Sequence, residues 1–319
     1  MSGRSSWLAA VPPSVAIEIA CGRVGVAALS SSARGAAVSA YATEDLPADA
    51  VAPALSGTNI PDPGVVAGAL RRALERAGLR STGRAALVVP DSIARVSLVA
   101  FDQLPSRAAD LDQLVAWQVR KATPFPMDQA QVSHFTANVT DSTSTVAAVV
   151  ARREVVREYE GVTDALGIHA GLVDLASFSV MNAVIGAGAA APDDWLLVHL
   201  AAEATTLAIM RGEQLMFYRH RVAVDQEPLS ALVHQTAMYH EDRLGGRRFA
   251  RVWLSGAGLK SRDALNRLHR EIADRLGTEV ETVDIRPAAS LRGRVEPTPE
   301  VLDTLAAPIG VLVRERKAA

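Results

Sequence analysis

The sequence predicts an α/β fold made of two similar lobes, with a small α+β subdomain inserted in the first. Three observations predict it. First, the strand–turn–strand segment Val15-Ala-Ile-Glu-Ile-Ala-Cys-Gly-Arg-Val-Gly-Val-Ala-Ala-Leu29 is echoed by Leu196-Leu-Val-His-Leu-Ala-Ala-Glu-Ala-Thr-Thr-Leu-Ala-Ile-Met210. Second, each hairpin carries one ionisable residue in its first strand, Glu18 or His199, and runs into a third apolar strand, Ala36–Thr43 or Gln214–Val222. Third, strands alternate with helical patterns after both hairpins, as in α/β proteins. A duplication of this kind sets two tight turns facing each other across a cleft, where such architectures hold a phosphate.

The elements follow in order. Residues 1–13 are polar, end in proline and read as a loose arm; Leu46–Asp62 reads as a loop. Asp62-Pro63 supplies an N-cap and a first-turn proline for a helix that places Val66, Leu70, Ala73, Leu74 and Ala77 on one face and stops at Gly78. Ala85–Val89 is a buried strand. From Asp91 the pattern is locally paired: strand Arg95–Phe101, then a helix from Ser106 to Lys121 whose stripe is Leu111, Leu114, Val115 and Val119. Strands Gln131–Val139 and Thr145–Ala151 complete an inserted subdomain, 91–151. Helix Arg153–Leu166, strand Ile168–Asp174 and helix Ser177–Val184 return the chain to the first lobe, 14–90 together with 152–188. The second lobe, 189–297, continues from its hairpin through helix Pro228–Leu244, strand Arg251–Leu254, helix Ser261–Leu276 and a short strand at Glu279–Val283. Thr298-Pro299 opens a last helix, 298–313, assigned to the first lobe and expected to kink or divide at Pro308.

A chain of 319 residues has room for two ordinary domains or one two-lobed unit. With 49% hydrophobic but only 4% aromatic residues, its cores must be built from Ala, Val and Leu. A net charge of −2 and a pI near 6.4 give no electrostatic reason to invoke nucleic acid. The single cysteine, Cys21, excludes an internal disulfide and a multi-cysteine zinc site, and fits a reducing compartment. Leu175–Ala191 is too short and polar to span a bilayer, and the N-terminus lacks the apolar core of a secretory signal. The expected location is the cytoplasm, at the inner face of the inner membrane only through partners.

Val252-Trp-Leu-Ser-Gly-Ala-Gly258, a buried strand ending in Ser-Gly-x-Gly before a helix, resembles the adenosine loop of the actin-like ATPase superfamily. The two hairpins then correspond to its phosphate loops. More narrowly, Val89-Pro-Asp-Ser92, Leu104-Pro105, Trp117, Thr123-Pro-Phe-Pro-Met-Asp128, Ala151-Arg-Arg-Glu-Val155 and Gly167-Ile-His-Ala-Gly-Leu-Val-Asp174, in that order, resemble the PilM family of type IV pilus assembly, itself related to FtsA. The resemblance implies a duplicated actin-like (ribonuclease H-like) fold. It implies nucleotide contacts from Glu18 and Gly22, from Thr205 and Thr206, and from Ser255, Gly256 and Gly258, with ATP and Mg²⁺ as the cofactors on offer.

The departures point the other way. Ile17-Glu18-Ile19-Ala20 stands where the family has Ile-Asp-Ile-Gly, Val198-His199-Leu200-Ala201 where it has Val-Asp-Ile-Gly, and Ala176 at an acidic position. Mg²⁺ needs hard oxygen ligands, which an imidazole does not supply. Alanine for glycine at a positive φ costs about 1 kcal/mol. The expectation is therefore weak nucleotide binding or none, little hydrolysis, no catalytic residue and no metal site. Glu18 reads either as a metal-linked acid or as a polar cleft residue, His199 as a hydrogen-bonded cleft or core histidine, and Cys21 as a reactive thiol or, in preference, a buried inert one. His234 and His240, six apart on one helix, share no face. Asp91 and Asp174 read as turn and strand-end residues. Arg243–Arg251 and Arg314–Lys317 read as solvated faces.

Three functions compete. The resemblance implies a scaffold of a type IV pilus or related type II secretion machine that captures the cytoplasmic N-terminal tail of a PilN-like membrane protein in a groove near the inserted subdomain and connects it to the motor ATPases. A working actin-like ATPase or sugar-kinase-like phosphotransferase needs intact phosphate loops and a catalytic carboxylate, and neither is found. An FtsA-like, self-associating filament former is the third, without an evident C-terminal membrane helix.

Overall fold

A computed structural model describes residues 13–32, 35–79, 81–140, 142–223, 228–257, 261–291 and 297–318. The chain begins with strands β1 (Val15–Ala20), β2 (Arg23–Ser32) and β3 (Gly35–Asp45), helix α1 (Pro63–Arg76) and strand β4 (Arg84–Val89). Strand β5 (Ala94–Phe101), helix α2 (Ala108–Val119) and strands β6 (Ala130–Val139) and β7 (Ser144–Arg152) follow, then α3 (Arg153–Asp164), β8 (His169–Leu175) and α4 (Ala176–Gly186). The second half holds β9 (Asp194–Leu200), β10 (Ala204–Arg211), β11 (Gln214–Val222), α5 (Leu229–Leu244), β12 (Arg251–Ser255), α6 (Arg262–Leu276) and β13 (Val280–Thr282). Strand β14 (Ser290–Leu291) and helix α7 (Pro299–Ala318) close it.

Two sheets share one topology. The first has the order β14-β3-β2-β1-β4-β8, and the second β11-β10-β9-β12-β13. In both, an antiparallel three-stranded meander is extended by two parallel strands, β4 and β8 or β12 and β13. The duplication expected from the two hairpins is therefore a duplication of whole sheets. The inserted β5, β6 and β7 form a separate antiparallel sheet, β5-β7-β6, closed by Val115 and Val119 of α2.

Local chemistry sets the element ends. Asp62 Oδ1 accepts from the Gly64 and Val65 amides at the start of α1, with Pro63 in its first turn. Ser261 caps α6, and α5 and α6 end on left-handed Gly245 and Gly277. Strand alternation splits the second sheet between two cores. Leu196, Val198, Val252 and Leu254 face α5 and α6, whereas Trp195, Leu197 and Trp253 join the core of the first lobe.

Two features depart from the sequence reading. Strand β14 pairs with β3 and returns the chain to the first sheet at Ser290; two residues are too few to show a period. Helix α7 is not divided at Pro308. Its flanks are held by burial of Leu305, Ala306, Ile309, Val311 and Leu312, which offsets the lost amide hydrogen bond.

The second sheet is anchored by a buried acid. Asp194 accepts from Arg211 Nε at 2.6 Å, from Arg211 Nη2 at 2.8 Å and from His240 Nε2 at 2.7 Å, and His240 stacks on Phe249. Burial pushes the Asp194 carboxyl up, but the bonds from Arg211 and His240 outweigh it and hold the group below the usual carboxylate range. Because the folded value is depressed, the stabilisation is present above about pH 4 and is lost as pH falls through the folded value. Melting curves of the parent and Asp194→Asn are expected to converge in acid. Equal steepness of Tm against pH below about pH 4 would show that Asp194 carries none of it.

Candidate functional site

The β1–β2 turn, the β9–β10 turn and the end of β12 meet across a cleft of about 460 Å³, floored by the first turns of α7. Glu18, Gly22, Ser255 and Gly256 line it, as do His199 and Cys21. Thr205 and Thr206 are not among its lining residues, and Gly258 lies outside the described residues.

The cleft's polar groups are already engaged with one another. Glu18, 5% exposed, is paired with Arg23 at 3.1 Å. The neighbouring Glu18 carboxylate raises the Arg23 pKa. His199 Nδ1 meets Ser255 Oγ at 3.0 Å, a contact set by the parallel pairing of β9 with β12. The Gly256 amide donates to Asp303 Oδ1 of α7 at 2.7 Å. Gly256 has φ +80°, and a Cβ there would overlap the Leu200 carbonyl oxygen. That glycine is required by the neighbouring turn, with no purine needed to explain it.

Mg²⁺ and a polyphosphate do not fit this set. Glu18 already faces a guanidinium, and the second metal-acid position is an imidazole bonded to a serine. The lining acids Glu18, Asp45, Asp91, Glu203, Glu300 and Asp303 are opposed by Arg23. Burial and the Asp91 charge push Glu203 up, against the opposing pull of His199 and of the Ser92 hydrogen bond. Among the described residues, no three His, Cys, Asp or Glu side chains are grouped to hold a metal ion. The strain expected at Ala20 and Ala201 is corrected: Asp49 is the described non-glycine residue with positive φ, so neither alanine sits in left-handed backbone. The loops depart from the family through their polar groups, and backbone strain has no part in it.

Beneath the cleft lies a buried clasp that the sequence did not show. Asp91, read as a turn residue, is 5% exposed. Its Oδ1 accepts from the Ser177 amide at 3.1 Å and the Ser177 hydroxyl at 3.0 Å, capping α4 from a remote loop. Its Oδ2 accepts from Thr206 Oγ1 of the second sheet at 2.7 Å. Thr206 pairs across β10–β11 with His220 and meets its Nδ1 at 2.9 Å. The one Thr206 proton is committed to Asp91, so His220 donates from Nδ1; its Nε2 lies 3.2 Å from Ser92 Oγ, which also donates to Glu203 Oε1 at 3.4 Å. Burial lowers the His220 pKa, against the Asp91 charge, which raises it. Tyr218 OH and Ser177 Oγ lie 3.0 Å apart. Thr206, expected at a phosphate, thus ties the second lobe to the first.

On the other side of α4 runs a groove of about 660 Å³ between β6, β8, the β10–β11 turn and the end of α7. Val173, Phe178, Met181 and Leu215 supply apolar wall, and Phe135, 42% exposed, stacks edge-on against Phe178 at 5.5 Å. β8 and β6 are each the last strand of their sheets, so two strand edges border the groove. A polar pair sits at one end, Arg314 Nη1 with Asp174 Oδ2 at 3.1 Å.

Two lobes of one repeated topology, joined across a cleft and carrying an inserted subdomain, define an actin-like ATPase fold. The family model described as type IV pilus assembly protein PilM matches residues 16–243. The chain belongs to the PilM family. A structure titled as a PilM–PilN type IV pilus biogenesis complex superposes with TM-score 0.79 at 15% identity, covering 95% of this chain and 98% of that one. The cytoplasmic domain of EpsL, an inner-membrane component of the type II secretion system of Vibrio cholerae, superposes with TM-score 0.49 at 11% identity, covering 96% and 90%. A comparison with curated protein sequences finds no match. Among the described residues no helix is long and apolar enough to cross a membrane.

Proposed function

We propose that this chain is a cytoplasmic scaffold of a type IV pilus inner-membrane assembly, which holds the N-terminal tail of a PilN-like membrane protein in the groove beside α4. The groove carries the reading. Two strand edges, β8 and β6, offer backbone donors and acceptors to an extended peptide, while Phe135, Phe178 and Met181 offer apolar contact to alternate side chains. Its volume of about 660 Å³ falls in the range of specific ligand sites. The cleft is the weaker candidate because Arg23, Asp303 and Ser255 already engage the groups a nucleotide would need. On this reading the chain binds ATP weakly or not at all, hydrolyses little, sits at the inner membrane through its partner and passes that contact to the motor ATPases. The proposed lobes are 14–90 with 152–188 and 298–313, 91–151, and 189–297, except that Ser290–Leu291 of β14 joins the sheet of the first lobe.

One titration tests it. The synthetic tail of the PilN-like partner is added to the parent and to Phe135→Asp, each with and without millimolar ATP and Mg²⁺. The parent is expected to bind the tail, Phe135→Asp to bind it at least tenfold more weakly, about 1.4 kcal/mol, and the nucleotide to change neither. Equal affinity in the variant removes the groove from the mechanism, and micromolar ATP binding overturns the disabled cleft.

A further inference from the structure

The groove holds one feature that apolar contact does not use. Asp174 lies at its floor, 8% exposed, and accepts from the Leu175 amide, Ser179 Oγ and Arg314 Nη1. Arg314 stands at the opposite extreme: its side chain is 45% exposed, against 9% for that of Asp174. The pair therefore joins a fixed, desolvated carboxylate to a guanidinium at the groove's mouth.

We propose that Asp174 is the groove's anchor for a cation, a Lys or Arg side chain of an extended apolar peptide, and that Arg314 occupies this position until such a peptide displaces it. The proposal rests on the reading of the groove as a peptide site. Three observations support it. The formal charges lining the groove are Asp174 and Glu213 against Arg314, an acidic balance that complements a basic ligand. The carboxylate is incompletely compensated: burial pushes Asp174 up to about 6 even with the Arg314 charge acting against it. And the exchange moves the half-exposed Arg314 side chain, while the bonds from Leu175 and Ser179 keep the carboxylate in place.

An anchor and its internal competitor must respond with opposite signs, which a merely structural ion pair would not. The tail of the PilN-like partner, and the same tail with every Lys and Arg replaced by Gln, are titrated into the parent, Arg314→Ala and Asp174→Asn, with folding checked by melting curves. In the parent, the basic tail is expected to bind at least tenfold tighter than the Gln tail. Arg314→Ala is expected to tighten the basic tail several-fold and leave the Gln tail unchanged. Asp174→Asn is expected to abolish the difference between the tails. Equal binding of both tails to the parent overturns the proposal, as does weakening of both by Arg314→Ala, a surface change that tests the proposal even if Asp174→Asn fails to fold. Binding of neither tail overturns the groove reading itself and the anchor with it, an outcome distinct from equal binding of both.

Discussion

Asp91→Ala is expected to lower the unfolding free energy by about 3–5 kcal/mol, seen as a Tm lower by roughly 8 °C. The carboxylate satisfies three donors: the Ser177 amide, the Ser177 hydroxyl and the Thr206 hydroxyl. Alanine leaves them in a buried site between the lobes, where each orphaned group costs about 1–3 kcal/mol. Asp91→Asn is expected to cost less than half as much, because the amide oxygen still accepts from Ser177 and Thr206 can reverse its bond. The loss should extend to both lobes, since Asp91 caps α4 of one and holds β10 of the other. Faster amide exchange confined to the Asp91 loop, with an unchanged Tm, would show that the clasp does not join them.

Gly310→Ala is expected to destabilise by about 1–3 kcal/mol, against the usual sign. In an exposed helix the same change gains about 1 kcal/mol. In α7, however, a Cβ on Gly310 would overlap the Ser179 carbonyl oxygen of α4 and come within 3.0 Å of the Ala183 amide nitrogen. Backbone meets backbone there, so no side chain can rotate away and the helices must part. Parting them separates Phe178 and Met181 of α4 from Val313 and Arg314 of α7, all groove residues. Peptide affinity is therefore expected to fall along with stability. Gly161→Ala, in α3 with nothing near its would-be Cβ, is the control and should raise the Tm. A neutral Gly310→Ala would mean the helices are not in backbone contact.

Much of the fold was legible in the sequence because its signals are local. The two hairpins show in short apolar runs broken by small residues, α1 in Asp62-Pro63 and its apolar spacing, and α6 in Ser261 and Gly277. Strand β14 was not legible, since Ser290-Leu291 acquires its identity only by pairing with β3. Nor was the continuity of α7, because a proline's local cost is outweighed by burial on α4 and the sheet.

The candidate site divides the same way. The identities of Glu18, His199 and Ala176 were enough to question a Mg²⁺ site, because ligand chemistry belongs to the residue itself. What those residues do instead depended on partners far along the chain. Asp303 reaches Gly256 across 47 positions, Asp91 reaches Thr206 across 115, and Arg314 reaches Asp174 across 140. Hydrogen-bond partners at such separations leave no period or spacing to read.

The sequence by itself determined the repeated strand pattern, the family resemblance and the positions at which the phosphate loops depart from the family, because each is a property of residue type and near-neighbour order. Only the tertiary structure decided that Thr206 serves the lobe clasp, that Gly256 makes room for a carbonyl, and that two strand edges border one groove. The physical reason is that desolvation and directional bonding act between surfaces that the chain brings together only once it has folded.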